Sequence, residues 1–205
     1  QRLNERMIDS RTWLDSFAWL DAPAACVFFD DRRGTQLRDA AGATHVLREG
    51  DSPVAVATIS DECIVLRTSD GKLTVLGGTP ERLLSMTEDQ PFGHACLRPQ
   101  RVVVAIGNRY VEALDVTTGG SRWRHEHVGI PMVWTAADDG RRFAYATGDG
   151  LVVGLDAADG SREFTAPASG DRVLSIAFDA PGDRLAYGTA HGLVTVLRWA
   201  DGAAT

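Results

Sequence analysis

Hydrophobic and polar residues alternate along most of the chain in short runs, separated by turns rich in Gly, Asp and Pro. One stretch has apolar runs at Met132–Ala136, Phe143–Thr147 and Val152–Leu155, and Arg162–Thr165 follows beyond an Asp-Gly turn. A two-residue period with β-branched and aromatic side chains is typical of strands. Between residues 16 and 202 there is no convincing helical period. The pattern predicts four short antiparallel strands in this stretch.

The same pattern recurs along the chain. Five segments end an alternating strand in a leucine followed by a polar turn, and these leucines are Leu37, Leu76, Leu114, Leu155 and Leu197. Their spacings are 39, 38, 41 and 42 residues. Self-similarity at a fixed period of about 20–50 residues indicates a repeat architecture. Four antiparallel strands per repeat, at this spacing, are typical of the blade of a β-propeller.

A second landmark accompanies four of the leucines. Five residues before each of them stands the residue expected to turn the second strand into the third, and these are Gly71, Arg109 (preceded by Asn108), Gly150 and Gly192. A tight hairpin needs positive φ, which Gly supplies freely and Asn tolerates. The first segment differs, because Gly34 lies three residues before Leu37, and we expect its hairpin to be shortened or irregular.

We therefore expect an all-β protein, a β-propeller of four-stranded antiparallel blades. The chain would form a single propeller over residues 1–205, with five visible blades at approximately 13–51, 52–89, 90–129, 130–170 and 171–205. A β-sandwich also has many short strands, but it would not place five equivalent turns at nearly constant spacing.

The two ends of the chain bear on ring closure. The fifth repeat ends at Asp201-Gly202-Ala-Ala-Thr, which leaves out its fourth strand, and residues 1–12 are either an outer strand or the end of a preceding blade. Residues 3–8 could pair with Leu193–Trp199 and close a five-bladed ring. Because the chain begins with Gln, we expect instead a piece of a larger ring of about seven blades, with its open faces covered by another segment or chain.

Charge and composition exclude some functions. The formal net charge is −7, which argues against binding nucleic acid through a basic surface and against docking on an anionic membrane. No apolar run approaches the about 18–20 residues that span a bilayer. The three cysteines show no CxxC spacing, which favours neither a disulfide framework nor a zinc site and points to a cytoplasmic setting.

The third repeat contains Ala113-Leu-Asp115-Val-Thr-Thr118-Gly119 followed by Trp123. This run resembles the Ala-x-Asp-x-x-Thr-Gly-x-x-x-Trp repeat of quinoprotein-like (PQQ-like) propellers, and the fourth repeat is similar, with Phe in place of Trp. The fifth repeat resembles the degenerate WD-repeat blades of bacterial proteins, although the Gly-His and Trp-Asp pairs are absent. The resemblance implies the WD-repeat and PQQ-like propeller superfamily, and it implies that Trp123 is a structural residue docked between blades.

No set of residues predicts catalysis. His125 and His127 could share a metal on one side of a strand, but no third ligand is visible in the sequence. A quinone-dependent dehydrogenase would carry adjacent cysteines over its cofactor, which the sequence does not contain. There is no Gly-x-Ser-x-Gly elbow and no phosphate-binding glycine motif between a strand and a helix. We therefore expect no catalytic residue, no cofactor and no metal.

A binding role would fall on the loops, because a rigid scaffold concentrates binding residues there. One face should be lined by the second-to-third-strand turns, with the candidates Asp70, Asn108, Arg109, Asp149 and His191. The connections between blades should contribute Glu88, Asp89, His127 and Ser169 to the same face.

These features predict a non-enzymatic protein-interaction or sensing module. The composition, rich in Ala, Gly, Asp and Arg, and the resemblance favour the C-terminal propeller portion of a larger bacterial signalling or defence protein. Its partner would be a protein or another segment of the same protein, not nucleic acid or a membrane. The alternative is a small propeller enzyme, a glycosidase- or lactonase-like hydrolase with a central carboxylate-lined pocket.

Overall fold

The computed structural model describes residues 17–20, 25–30, 34–38, 43–48, 53–60, 63–68, 72–76, 82–86, 89–97, 101–168 and 171–205. Within these ranges the secondary structure consists of strands and turns, and no helix could cross a membrane. The chain forms two compact units, Gln1–Glu81 and Arg82–Thr205. The segment 3–8, predicted as an outer strand, lies outside the described residues.

The unit Gln1–Glu81 contains the first sheet and most of the second. The first sheet is antiparallel and has the strand order β1 (Phe17–Leu20), β2 (Ala25–Asp30), β3 (Gly34–Arg38), β4 (Thr44–Arg48). The second follows the same order with β5 (Pro53–Ser60), β6 (Cys63–Thr68), β7 (Leu73–Leu76) and β8 (Arg82–Leu84). Gly34 pairs with Asp30 as the first residue of β3, so this glycine lies in a strand.

The unit Arg82–Thr205 contains the third, fourth and fifth sheets. The third is β9 (Pro91–Leu97), β10 (Val102–Gly107), β11 (Tyr110–Asp115), β12 (Ser121–Glu126). The fourth is β13 (Pro131–Ala136), β14 (Arg142–Thr147), β15 (Leu151–Asp156), β16 (Arg162–Pro167). The fifth is β17 (Val173–Phe178), β18 (Arg184–Thr189), β19 (Val194–Arg198). The first strands are neighbours, since β13 contacts both β9 and β17.

These sheets confirm the predicted fold class of antiparallel, four-stranded blades in an all-β protein. Each sheet falls within one of the five predicted blade boundaries. That residues 1–205 form one propeller stays a prediction.

Successive sheets of the second unit pack face to face, and the two sides of the fourth sheet differ in side-chain size. In β14, Phe143 and Tyr145 point to one side and Ala144 and Ala146 to the other, because side chains alternate along a strand. The aromatic side packs on the third sheet and the alanine side packs on the fifth, where Tyr187 meets it. All four β14 side chains are fully buried.

In the second unit, aromatic side chains of the outer strands join the third sheet to the fourth and the fourth to the fifth. The Nε1–H of Trp123 in β12 donates a 2.8 Å hydrogen bond to the carbonyl oxygen of Ala157. The indole lies over Gly160, where a Cβ atom would come within 2.5 Å of the ring. Phe164 in β16 lies in the same way on Gly202, so the predicted docking of Trp123 between blades is confirmed.

The fifth sheet has three strands and lacks a fourth, as the sequence predicted, and the residues after β19 bridge back to it. Ala204 forms an antiparallel bridge with Leu197. The Thr205 N–H donates to the Val196 carbonyl oxygen at 2.9 Å. Gly202 adopts a φ of 66° and turns the chain back onto β19, but these contacts do not add a fourth strand to the sheet.

The turn glycines behave as predicted in the fourth and fifth sheets. Gly150 (φ 81°) and Gly192 (φ 82°) lie in loops between paired antiparallel strands. The third sheet differs, because neither Asn108 nor Arg109 adopts positive φ. Four residues separate the paired ends of β10 and β11, whereas five separate those of β14 and β15, so this shorter turn closes without a left-handed residue.

Replacing each of these glycines by alanine should separate the cost of backbone strain from the cost of steric overlap. A Cβ atom on Gly192 would meet open space, so Gly192→Ala should lower the free energy of unfolding by about 1 kcal/mol through its positive φ alone. At Gly150 a Cβ would also come within 2.7 Å of the Asp171 carbonyl oxygen, so Gly150→Ala should cost more. Urea denaturation of both variants measures the difference, and equal losses would contradict this account.

Candidate functional site

One edge of the unit Arg82–Thr205 carries both the second-to-third-strand turns and the connections between sheets, and we call it the turn face. Hydrogen bonds join the two kinds of loop. The His127 N–H donates to the Arg109 carbonyl oxygen at 3.2 Å, and the Ala168 N–H donates to that of Gly150 at 2.7 Å. Turns and connections therefore lie together on one surface.

Two aspartates hold the turns of the third and fifth sheets in the same way. Oδ2 of Asp89 accepts the backbone N–H of Arg109 at 2.8 Å and that of Tyr110 at 3.2 Å. Oδ2 of Asp171 accepts the backbone N–H of His191 at 3.0 Å and lies 2.8 Å from Nδ1 of its ring. Each aspartate precedes the residue that it holds by 20 positions.

The fourth sheet has a different arrangement at this position. Gly129 stands 20 residues before Asp149, and a Cβ atom on it would come within 2.8 Å of the Asp149 carboxylate. Gly129 has a φ of 68°. In the fourth sheet the carboxylate at this place therefore belongs to Asp149 of the turn. It lies over Gly129 of the connection, which has no side chain.

Both holding aspartates stay ionised at neutral pH. The Thr189 hydroxyl and then the His191 N–H and ring lower the pKa of Asp171 well below its ordinary value of 3.8. For Asp89, burial acts to raise the pKa, but hydrogen bonds from backbone N–H groups, that of Arg109 foremost, outweigh burial and lower the pKa. Charge-assisted hydrogen bonds of this kind are stronger than neutral ones, so the two turns are firmly placed.

The connection between the third and fourth sheets is held at three points. Besides the bond from His127, the Val128 N–H donates to the Tyr145 hydroxyl at 3.2 Å, and the Ile130 carbonyl oxygen accepts the Gly148 N–H at 3.1 Å. Burial raises the pKa of Tyr145, which therefore keeps its proton at neutral pH. The side chains of this connection are presented from a fixed backbone.

Large apolar side chains are exposed mainly on this turn face. Within the part of the chain that the structure describes, those at or beside its loops are Val128, Ile130, Met132, Leu174, Leu193 and Val194. Ile130 is 63% exposed and Met132 47% exposed. Leu83, in the outer strand β8, is exposed elsewhere. An apolar group of this kind, without a packing role, is typical of an interaction site.

Met132 and Leu174 occupy the same position in successive sheets. Each stands at a register shift at the start of its first strand, between Pro131 and Val133 in β13 and between Val173 and Ser175 in β17. Phe92 stands at the corresponding shift in β9. A β-bulge redirects one side chain out of the alternating pattern, which explains why Met132 and Leu174 are exposed, whereas Phe92 packs against Trp134 and the core.

The opposite edge of the unit is charged. Its turns carry the ion pairs Arg122–Asp115, Arg142–Asp183 and Arg198–Asp201. The Arg122 guanidinium, followed by the Thr118 N–H, lowers the pKa of Asp115 to about 2. The turn face also carries ion pairs, Arg109–Glu126 and His191–Asp171, so its exposed apolar side chains are what make it the candidate functional site.

The structure places six of the predicted site residues on the turn face, namely Asn108, Arg109, Asp149, His191, Asp89 and His127. It brings Asp89, Arg109 and His127 together. Asp70, Glu88 and Ser169 lie outside the described residues. Sequence reasoning missed Asp171, although its spacing to His191 repeats that of Asp89 to Arg109. It also missed the exposed apolar residues.

The two histidines considered for a metal differ in setting. Burial, followed by the positive charge of Arg162, lowers the pKa of His125, so its ring is neutral at pH 7. Nε2 of His127 lies 3.3 Å from the Gly107 carbonyl oxygen. In the described ranges no three side chains of His, Cys, Asp or Glu converge as metal ligands.

The contribution of Asp171 to stability should depend on pH. Its pKa is depressed by folding, so its stabilisation is present above the ordinary pKa of 3.8 and is lost as the pH falls through the folded value. Asp171→Asn should therefore lower the free energy of unfolding most at about pH 7, and the gap to the unchanged protein should narrow below about pH 4. Denaturant titrations across this range measure the gap.

His191→Ala is the matched control for that experiment. Its ring is 87% exposed, and its removal leaves the main-chain N–H bond to Asp171 in place, so it should cost less than Asp171→Asn at neutral pH. If the difference in unfolding free energy between Asp171→Asn and the unchanged protein stays the same at low pH, the carboxylate charge contributes nothing to stability.

Comparison with known proteins agrees with this architecture. The structure is similar to the β-propeller domain of Cps50 (Swd1) from Myceliophteria thermophila, with a TM-score of 0.72 and 10% sequence identity, over 94% of this chain and 72% of that chain. At this identity the likeness shows the fold. No curated protein matches the sequence at a significant level.

A protein-family model matches the sequence directly. The model described as outer membrane protein assembly factor BamB matches residues 85–205, which is more than half of the chain. That range includes the third, fourth and fifth sheets and the turn face. The chain therefore belongs to the BamB-like family of PQQ-like propellers, within the wider superfamily that also contains WD-repeat propellers.

Proposed function

We propose that this chain is a non-enzymatic protein-interaction or sensing module, and that its turn face binds a partner protein. The observation that carries the proposal is the set of exposed apolar side chains Val128, Ile130, Met132 and Leu174, which we call the apolar strip. Val128 and Ile130 stand on the connection that the Tyr145 hydroxyl and the Gly148 N–H hold in place. Met132 and Leu174 stand at the starts of the paired strands β13 and β17. A preorganised surface loses little conformational entropy on binding, which favours affinity.

The strip has the composition expected at the centre of an interface. Such centres are depleted in charge and enriched in aromatic residues and methionine, and they are surrounded by a polar rim. Here Arg109, Glu126 and His191 supply exposed polar groups beside the apolar side chains. The Arg109–Glu126 pair, at 3.2 Å, is exposed on both sides, where a partner can reach it.

The wider setting follows from the resemblance and the composition. We propose that the chain is the propeller portion of a larger bacterial signalling or defence protein, C-terminal to its other domains, and that it acts in the cytoplasm. The partner is then a protein or another segment of the same protein. No catalytic residue, cofactor or metal is assigned.

Site-specific photo-cross-linking tests where a partner binds. A benzophenone amino acid is placed at Ile130, at Met132 or, as control, at Leu83 of the full-length protein in cells. The three side chains are similarly exposed, but Leu83 is in an outer strand and not on the turn face. We expect one discrete protein adduct from positions 130 and 132 and none from position 83. Adducts from all three positions, or from none, would contradict the proposal.

Affinity with the purified partner then measures the contribution of the strip. Ile130→Ser combined with Met132→Ser should raise the Kd at least about tenfold, because truncating central apolar contacts costs more than about 1.4 kcal/mol. Leu83→Ser should leave the Kd unchanged. Since all three side chains are exposed, the free energy of unfolding should hardly change. Turnover of glycoside or lactone substrates by the purified chain would favour the hydrolase alternative instead.

A further inference from the structure

A histidine side chain lies at the contact between the third and fourth sheets, beside the connection that carries two members of the apolar strip. His125 stands two residues after Trp123 in β12, so both side chains are on the side of the third sheet that faces the fourth. Val111, which pairs with His125 from β11, is buried in the same cluster as Tyr145 of β14. The ring of His125 is therefore directed toward the fourth sheet.

The surroundings of this ring favour its neutral form. The Nε2 atom of His125 is shielded from solvent and has no hydrogen-bond partner among the described residues. A neutral imidazole leaves one nitrogen without a proton, whereas the charged form has an N–H on both nitrogens and needs an acceptor for each. Protonation in place would therefore bury an N–H group that has no acceptor, which is unfavourable.

The charged and titratable groups around the ring act in the same direction. Burial of His125 and then the positive charge of Arg162 in β16 lower its pKa below the ordinary value of 6.5. Tyr145 in β14 is uncharged at neutral pH because burial raises its pKa. His127 is the second titratable ring here, and its Nε2 donates to the Gly107 carbonyl oxygen at 3.3 Å, since a carbonyl oxygen only accepts.

Carboxylates at this end of the third sheet are engaged elsewhere. Glu126 follows His125 in β12, so it points to the other side of the sheet, where it pairs with Arg109. Asp89 accepts the backbone N–H groups of Arg109 and Tyr110. Among the described residues no carboxylate acts on the pKa of His125. A proton on this ring would therefore gain no compensating ion pair.

The connection after β12 is joined to the fourth sheet next to this ring. The Val128 N–H donates to the Tyr145 hydroxyl at 3.2 Å, and the Ile130 carbonyl oxygen accepts the Gly148 N–H at 3.1 Å. Tyr145 and Gly148 both belong to the fourth sheet or its turn. Because His125 faces the same sheet, hydration of a charged ring requires the end of β12 to move away from it. The hydrogen bond of Val128 lies where that movement occurs.

We propose that His125 makes the turn face sensitive to pH. When its imidazole gains a proton, the end of β12 moves away from the fourth sheet and the hydrogen bond from Val128 to the Tyr145 hydroxyl breaks. Val128 and Ile130 then lose their fixed positions, and the partner binds more weakly in a mildly acidic medium. Only this last step rests on the proposed function, because the opening of the connection is a property of the chain alone.

Proton linkage gives the direction of the effect. The pKa of His125 is lower in the closed state than in the open one, so the closed connection is fully favoured above pH 6.5 and loses stability as the pH falls from 6.5 through the lower value. The equilibrium constant for opening rises about tenfold for each pH unit between the two pKa values.

Hydrogen exchange of the Val128 amide tests the opening without any partner. In the full-length protein its protection, corrected for the intrinsic pH dependence of exchange, should fall at least about threefold between about pH 7.5 and about pH 5. His125→Gln stays neutral and should show no such fall. His191→Gln removes an exposed imidazole and should behave as the unchanged protein. Tyr145→Phe should leave this amide poorly protected at both pH values, because the hydroxyl acceptor is missing.

A titration of the ring by NMR decides the matter if His125→Gln folds poorly. In the unchanged protein the His125 ring should titrate with a pKa below 6.5, and the Val128 amide resonance should shift with the same midpoint. A pKa of His125 at or above 6.5 would overturn the proposal. So would a Val128 amide whose protection does not depend on pH.

Affinity for the partner captured at Ile130 tests the last step. The Kd should rise at least about threefold from about pH 7.5 to about pH 5 for the unchanged protein and for His191→Gln, but not for His125→Gln. Titration of the partner itself is common to all three chains and cancels in this comparison. Equal pH dependence of the Kd in all three would overturn the regulatory step. Failure to obtain any adduct at Ile130 contradicts the proposed function and this last step with it, whereas exchange at Val128 decides the opening by itself.

Discussion

The structure of the second unit depends on one kind of contact, in which an aromatic ring of an outer strand packs on a turn glycine of the next sheet. The Trp123 indole rests on Gly160 and hydrogen-bonds the Ala157 carbonyl oxygen, and the Phe164 ring rests on Gly202. Each contact joins elements about 40 residues apart and fixes one sheet against another. Because neither glycine can carry a Cβ beneath the ring, the contact also limits how closely the neighbouring sheet faces approach.

This stacking leaves the loops free to differ. The sheets take their stability from faces such as Phe143 and Tyr145, so the turn face is not required for packing. Nevertheless its backbone is closely held, by carboxylates at two turns and by a tyrosine hydroxyl at one connection. Exposed apolar side chains on a fixed backbone lower the solubility of the protein and do not contribute to its core. A binding role is the reason that best accounts for them.

The sequence predicted what local and periodic rules control. The leucine spacing placed the sheets, and the glycine rule placed Gly150 and Gly192 in left-handed turns. Prediction from the sequence failed where the position of a side chain depends on strand register. The turn at Asn108 is one residue shorter than its counterparts, and Met132 points outward because of a bulge, which a two-residue period cannot reveal. Asp171 was overlooked because its partner lies 20 residues away.

Val111, Val152 and Val194 show where sequence reasoning stops. All three are apolar residues near the start of a third strand, and the alternation rule predicts that each is covered. The alternation rule cannot predict which element covers the residue, because that element belongs to another sheet. In the structure two of them are buried and one is exposed, so the same local sequence yields a core position or a surface according to its neighbour. The exposed side chains Met132 and Leu174 of the turn face depend in the same way on strand pairing, because each stands at a register shift that the alternation rule does not describe.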